Sequence, residues 1–297
     1  MAGYVLSWAH FRASGSILPS GYRDLYGGKS DMRNLSSLSR KVDHAVLVEL
    51  ATRDYARIEP LFGSSCPNLA FVRAVLHEKI PGRVWADLGQ GAPVACLVAT
   101  TSPFCFAAGS MSPDFFHAAY DLLKGHGAVQ LVHPPEPGVD ALAVDAGFTP
   151  ARRLQWGQPS SQHWTAPAMD VPKGYELARI DGPAFGRLDS PMARSIFGSA
   201  ADYAEHGIGF ALHRDGQVAA DAHGVIGGDL IELGFHTHPD HRGRGLATAL
   251  AAHVSRWGTE NGLRSVMTFS EHKQASKAIA RRIGLVEEFS YPTVELP

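Results

Sequence analysis

Ten residues, His236-Thr-His-Pro-Asp-His-Arg-Gly-Arg-Gly245, carry two kinds of chemistry at once. His236 and His238 are two apart, so on a strand their imidazoles point to one side. With Asp240 and His241 they offer nitrogen and carboxylate ligands of the kind that hold zinc. Arg242-Gly243-Arg244-Gly245 offers something else. The arginines supply positive charge, and the glycines let backbone amides approach a ligand with no Cβ in between. A helix starting after Gly245 would add its unpaired N–H groups and the positive end of its dipole, which suits a pyrophosphate.

The flanking residues choose between these readings. Asp229–Thr237 has the pattern of a strand. After the loop, Leu246, Leu250, Val254 and Trp257 recur on one face of a helix that ends at Asn261-Gly262. Strand, short turn, glycine loop and helix is the order that a phosphate site needs, and Thr248 adds a hydroxyl one turn into the helix. The histidine run resembles the zinc ligands of the metallo-β-lactamase family. That family's site also needs His and Asp ligands well downstream and a second layer behind them. Only His253 and His272 follow His241, and His253 falls inside the amphipathic helix. Pro239 also turns the chain directly after His238. The metal reading is set aside and no metal ligand is assigned.

Other segments position this unit. Tyr175–Ile180 alternates as a strand, a helical stretch covers about Pro183 to Glu205, and two strands flank an Asp215-Gly216 hairpin turn. A strand over Leu263–Ser270, a helix stopped by Gly284 and one or two final strands complete the second half. Strands alternating with helices after an antiparallel start predict an α/β fold with a mixed sheet. Residues 158–174, with three prolines and no period, read as a linker or irregular crossover. Before it, residues 41–157 form a first half; after it, 175–297 form the second. Ala141–Phe148 and Ala278–Leu285 share Ala-x-Ala-x-x-x-Gly-apolar spacing, a weak internal repeat.

Composition narrows the partners. Of 297 residues 45% are hydrophobic and 19% charged, which makes a globular chain with ample core. A net charge of −2 leaves no basic surplus for nucleic acid. Cys66, Cys96 and Cys105 are too few for a disulfide framework and fit a reducing cytoplasm; Cys96 and Cys105 lie in apolar runs and read as buried thiols. No apolar stretch matches a membrane span, and the N-terminus lacks the basic region of a signal peptide. A cytoplasmic protein without a membrane partner is expected, either a monomer or a homodimer. Residues 1–40 read as a flexible arm, within which Met32 is an alternative start.

The segment Asp240-His-Arg-Gly243-Arg-Gly245 resembles the acetyl-CoA pyrophosphate motif of GNAT-type N-acetyltransferases, Gln/Arg-x-x-Gly-x-Gly/Ala, with Asp in the first position. The resemblance continues through Leu246–Val254 and Lys273–Leu285 and covers 175–297. It is nearest to the branch that includes the zwittermicin A resistance acetyltransferase, whose Glu-Ile-Gly-Ile-x-Thr strand is matched by Glu232-Leu-Gly-Phe-His-Thr237. Arg83–Ser110 resembles that branch's N-terminal domain, a degenerate GNAT-like half without the cofactor motif.

The resemblance implies acetyl-CoA as cofactor and a small-molecule amine as acceptor, with antibiotic resistance as an analogy. Backbone groups of Phe235 and Thr237 would pair with the pantetheine arm. Arg242, Gly243, Arg244, Gly245, Leu246, Ala247 and Thr248 would hold the pyrophosphate. Lys273 would meet a CoA phosphate and Ser276 the pantetheine end. Glu232 is the first candidate for the base and His236, four residues along the same strand face, the second. Asp221 and His223 on the neighbouring strand segment are further candidates whose orientation stays open. Many members carry an Asn at the start of the last helix and a Tyr seven residues later that protonates the thiolate; here these are Lys273 and Ala280. The missing Tyr keeps a non-catalytic acyl-CoA sensor open, and a protein N-acetyltransferase is a further alternative.

Overall fold

The computed structural model describes residues 47–64, 66–124, 130–160 and 164–296. The expected arm over 1–40 and Met32 lie outside the described residues.

The first half runs β1 (Leu47–Glu49), two 3-10 turns, α1 (Leu69–Leu76), β2 (Gly82–Leu88), β3 (Pro93–Thr100) and β4 (Phe104–Gly109). It continues with α2 (Pro113–Leu123), β5 (Gln130–Val132), α3 (Val139–Asp145) and β6 (Thr149–Gly157). The second half begins with β7 (Glu176–Arg179), α4 (Gly182–Arg187), α5 (Pro191–Phe197), α6 (Ala200–His206), β8 (Ile208–Arg214) and β9 (Gln217–Gly227). Then come β10 (Leu230–Thr237), α7 (Leu246–Glu260), β11 (Arg264–Ser270), α8 (Gln274–Arg282) and β12 (Val286–Glu295).

All twelve strands join one mixed sheet in the order β1-β2-β3-β4-β5-β12-β6-β11-β10-β9-β8-β7. Read from either edge, five strands of one half are followed by the last strand of the other. Among the described residues only β4·β5 and β10·β11 are parallel, and they occupy matching places. The last strands are therefore exchanged: β6 lies against β11, and β12 against β5, with β6 and β12 antiparallel to each other. The repeated Ala-x-Ala-x-x-x-Gly-apolar segments fall at matching places, α3 leading into β6 and α8 into β12.

Alternation along the strands puts core on both faces. On one face α1, α5 and Phe185 pack against Val84, Val98, Phe106, Val132, Val225 and Val266. On the other, Leu246, Leu250 and Val254 of α7 cover Ile231, Leu233 and Met267, and Phe115 and Phe116 of α2 cover Leu97 and Leu131. The predicted stripe on α7 is thus its buried face, and the Asp215-Gly216 hairpin turn has φ of 52° and 76°. Helix α1, although part of the first half, lies over β9 and β10 of the second.

One expectation changes, and an open one is decided. Pro183–Glu205 is three short helices rather than one stretch, because Pro191 starts a new helix and Gly198 turns the chain with φ 74°. The last strands are one, bent by a bulge between Glu287 and Phe289. The segment after β6 is held to the second half: Trp164 Nε1 donates to the Gly284 carbonyl at 3.1 Å, and Met169 and Val171 pack on that core. All three cysteines are buried and free. No helix among the described residues is long and apolar enough to cross a membrane.

Candidate active site

β10 pairs with β9 along its whole length, Leu230 to Thr237. Its pairing with β11 stops at Glu232↔Val266. Beyond that point the two parallel strands part, and a gap opens on the β11 side of β10. The main chain of β10 alternates direction. His238 N donates to Ala219 O on the β9 side, and Asp229 O accepts from Arg264 N on the β11 side. Odd-numbered residues therefore aim their amides and carbonyls at β11, and past Glu232 those of Leu233, Phe235 and Thr237 face the gap.

The gap leads to the glycine loop. After a 3-10 turn at Pro239–His241, Gly243 and Gly245 take φ of 74° and 77° before α7 begins at Leu246. A Cβ at either glycine would meet nothing within 4 Å. The left-handed backbone, rather than crowding inside the chain, is what requires glycine here, and the space above the loop stays open. No side chain caps α7, so its first N–H groups remain available to a ligand. The arginines are partly engaged: Arg244 donates to the Tyr175 hydroxyl at 3.2 Å and to Asp240 O at 3.2 Å, and Arg242 Nε reaches Thr237 O at 3.4 Å. Tyr175, which the sequence marked only as the start of a strand, also meets His241 Nδ1 at 3.0 Å and anchors the loop. It lies 66 residues away along the chain, and nothing local marks it. Leu246 is in the core, so it can offer only its backbone; Ala247 is half-buried and Thr248 buried.

Glu232 stands where the strands part. It is only 4% exposed. Its Oε1 accepts from Thr268 Oγ1 at 2.6 Å and from Asn68 Nδ2 at 2.8 Å. Burial pushes its carboxyl up to about 7, against the opposing pull of Thr268, the Arg153 charge and Asn68. Asn68, Thr268 and Arg153 were not found from the sequence. Thr268 comes from the neighbouring β11, while Arg153 and Asn68 reach this place only because β6 is exchanged and α1 crosses to the second half.

His236 shares the strand face of Glu232 and sits opposite Asp221 on β9, Nδ1 3.4 Å from Oδ2. Asp221 is buried. His223 is buried too, its ring edge-on to Phe197, and burial lowers its pKa to about 4 although Asp221 opposes this. His223 is therefore neutral at physiological pH. The three histidines of the loop region diverge: His236 toward Asp221, His241 toward Tyr175, and His238 Nδ1 accepts from Asp240 N at 3.4 Å. No group of three or more His, Cys, Asp or Glu among the described residues is placed to hold a metal ion.

Lys273 lies at the N-terminal cap of α8, half-buried, its pKa lowered by burial and by the Arg153 charge. Ser276 is half-buried on the same helix. Ala280 has no exposed surface and belongs to the second-half core. This arrangement offers backbone donors beside a gap, an anion-binding helix start and one buried carboxylate, which is equipment for acyl transfer from a phosphorylated carrier.

Comparison with known proteins agrees. A family model described as GNAT acetyltransferase matches residues 59–294. The N-acetyltransferase YdfB of Bacillus subtilis strain 168, itself uncharacterized, is 27% identical over 253 residues, covering 81% of this chain and 95% of that protein. A GCN5-related N-acetyltransferase-like protein from Streptococcus suis superposes with a TM-score of 0.65 at 20% identity, over 82% of this chain and 99% of that one. A tandem GNAT protein from the clavulanic acid biosynthesis pathway gives a TM-score of 0.55 at 16% identity, over 84% and 96%. At these identities the two structures attest a shared fold. The family match spans both halves and ends inside β12, and the chain therefore belongs to the GNAT acetyltransferase family.

Proposed function

We propose that the chain transfers an acetyl group from acetyl-CoA to a primary amine of a small molecule, by direct attack within one ternary complex. The observation that carries this is the parting of β10 from β11 just past Glu232, directly ahead of an uncapped helix with left-handed glycines at 243 and 245. Acetyl-CoA supplies an activated thioester. The chain's own groups do the rest. Residues 242–248 hold the pyrophosphate, with Gly243 and Gly245 shaping the loop and the amides of Leu246, Ala247 and Thr248 donating. Backbone groups of Phe235 and Thr237 align the pantetheine arm and stabilise charge on the thioester oxygen. Lys273 and Ser276, at the start of α8, flank the cofactor.

Glu232 is the base in this reading. Its carboxyl near 7 suits proton uptake at neutral pH, and its burial means that an acceptor hands over its proton through a water. His236, steadied by Asp221, lines the acceptor side of the same face. Ala280 offers no acid, so the CoA thiolate, whose pKa is that of an ordinary thiol, leaves unassisted or takes a proton from water. The first half serves as a wall of the acceptor cleft without a cofactor of its own. An antibiotic or amino-acid-like acceptor is the reading that the zwittermicin A resistance branch suggests.

Calorimetric titration of the wild type and of Gly245→Asp with acetyl-CoA tests the cofactor site, followed by CoA release across a panel of small amines. Binding to the wild type alone, with turnover of at least one amine, is the expected result. Binding without any turnover would replace this reading with an acyl-CoA sensor, and no binding would end both.

A further inference from the structure

With Glu232 ionised, the hydrogen bonds around it run in one direction. Arg153 is donor-only. Its Nε donates to the Tyr291 hydroxyl at 3.3 Å and its Nη2 to Thr268 Oγ1 at 3.2 Å. The Tyr291 oxygen thus accepts, and its single proton goes to Asn68 Oδ1 at 2.9 Å. That contact sets the orientation of the Asn68 amide. Nδ2 must face Glu232, and it donates to Glu232 Oε1 at 2.8 Å and to Thr268 Oγ1 at 2.7 Å. Thr268, already accepting twice, sends its proton to Glu232 Oε1, at 2.6 Å. Two protons, one from Asn68 and one from Thr268, end on the same carboxylate oxygen. The other, Oε2, is equally buried and has no hydrogen-bond partner among the described residues.

We propose that Asn68, Tyr291 and Arg153 are a positioning relay that saturates Oε1 of Glu232 with donors and leaves Oε2 as the oxygen that takes the acceptor's proton. The inference rests on Glu232 being the base. In the step, the electron pair of the amine N–H bond stays on nitrogen, the proton reaches Oε2 through a water, and the carboxylate becomes a neutral acid. No relay member changes protonation. All three lie outside the strand–loop–helix unit that carries the cofactor motif. Asn68 begins α1 with φ 56°, Arg153 sits on β6 of the first half, and Tyr291 on the exchanged β12. The first half thereby tunes chemistry in the second.

Direction separates this role from packing. Donors to the carboxylate favour its charged form, so removing one raises the titration midpoint. Loosened packing admits water and lets the midpoint fall toward the ordinary value near 4.5. The experiment is a pH titration by NMR of full-length protein carrying 13C at the glutamate carboxyl, with no ligand, using Glu232→Gln to assign the signal. Asn68→Gly is the main variant because glycine keeps the left-handed backbone while removing the amide. Tyr291→Phe is the second and stands alone if the first does not fold. The expected result is a wild-type midpoint near 7, an upward shift of about one unit in Asn68→Gly, and a smaller upward shift in Tyr291→Phe. Unmoved or lowered midpoints in the folded variants would overturn the relay. Failure of the base assignment has a different signature: Glu232→Gln would turn over, at the wild-type rate, an amine that releases CoA with the wild type, whatever the titrations show.

Discussion

The parting of β10 from β11 after Glu232 has a counterpart in the first half. There β4 leaves β5 after Phe106↔Val132, at the matching place in the register. Glu232 and Phe106 thus occupy equivalent positions, one a buried carboxylate held by Asn68, the other an aromatic ring 6.1 Å from Phe71 on the same short helix. The crevice beyond β4 is lined by Phe62, Cys66, Pro67 and Ala107 and has no room for a water molecule. The helices that follow differ as well. Ser112 caps α2 by accepting from Phe115 N at 3.1 Å, and Pro113 removes another N–H; α7 has no side-chain cap and starts from Gly245. One strand order therefore carries two outcomes. Backbone topology makes a gap in both halves, and side chains decide whether it stays open and charged or is filled and capped.

The largest way to break this comparison is to separate the halves. Because β6 is sandwiched between β12 and β11, neither 47–157 nor 158–297 keeps its own closing strand. Expressed singly, each is expected to lack a cooperative unfolding transition by circular dichroism, and co-expression is expected to restore one. An independently folded second half would show the exchange to be dispensable. Next come two glycines, one from each half. Gly245→Asp is expected to weaken acetyl-CoA binding by at least about 100-fold, roughly 3 kcal/mol, through charge repulsion at the loop. In Gly109→Ala, with φ 93°, the new Cβ would sit 2.3 Å from Val94 O. It is expected to cost roughly 2–3 kcal/mol of stability by denaturant titration while leaving affinity for acetyl-CoA within about twofold.

Glu232 and His223 make the third test. A carboxyl raised from 4.5 to about 7 holds a proton in the folded state that the unfolded chain has lost. Stability therefore falls as pH rises through that window, by about 3 kcal/mol. His223, lowered from 6.5 to about 4, acts oppositely: below 6.5 the unfolded chain gains a proton that the folded state refuses, so stability rises with pH up to 6.5. In the wild type these slopes offset one another across pH 4.5–6.5. Glu232→Gln removes the first, and its stability is expected to climb across that range in urea titrations; a flat profile in the variant would contradict the lowered His223, and a wild type that climbs as steeply as the variant would contradict the raised Glu232. The smallest effect concerns the caps. Ser112→Ala is expected to lower stability by about 1 kcal/mol without changing acetyl-CoA affinity, measured by the same two methods.

Much of the second half was legible because its signals are local. The face carrying Leu246, Leu250 and Val254, the turn at Asp215-Gly216, and the glycines at 243 and 245 each express a period or a backbone conformation within a few residues. The same locality misled at Pro183–Glu205, where helix-forming composition outweighed the interruption at Pro191 and Gly198. Tyr175 and Asn68 could not be found this way, since their partners lie 66 and 164 residues distant in the chain.

From the sequence alone came the mixed sheet and the strand–loop–helix unit, since period, turn chemistry and helix termini are properties of contiguous residues; Glu232 became a candidate through the family resemblance of that unit. The tertiary structure alone decided that the final strands are exchanged, that Phe106 stands where Glu232 does in the other half, and that Arg153, Tyr291 and Asn68 converge on one carboxylate oxygen. Strand pairing across the whole chain and the burial of a charge depend on which distant segments meet, and no short-range pattern encodes that meeting.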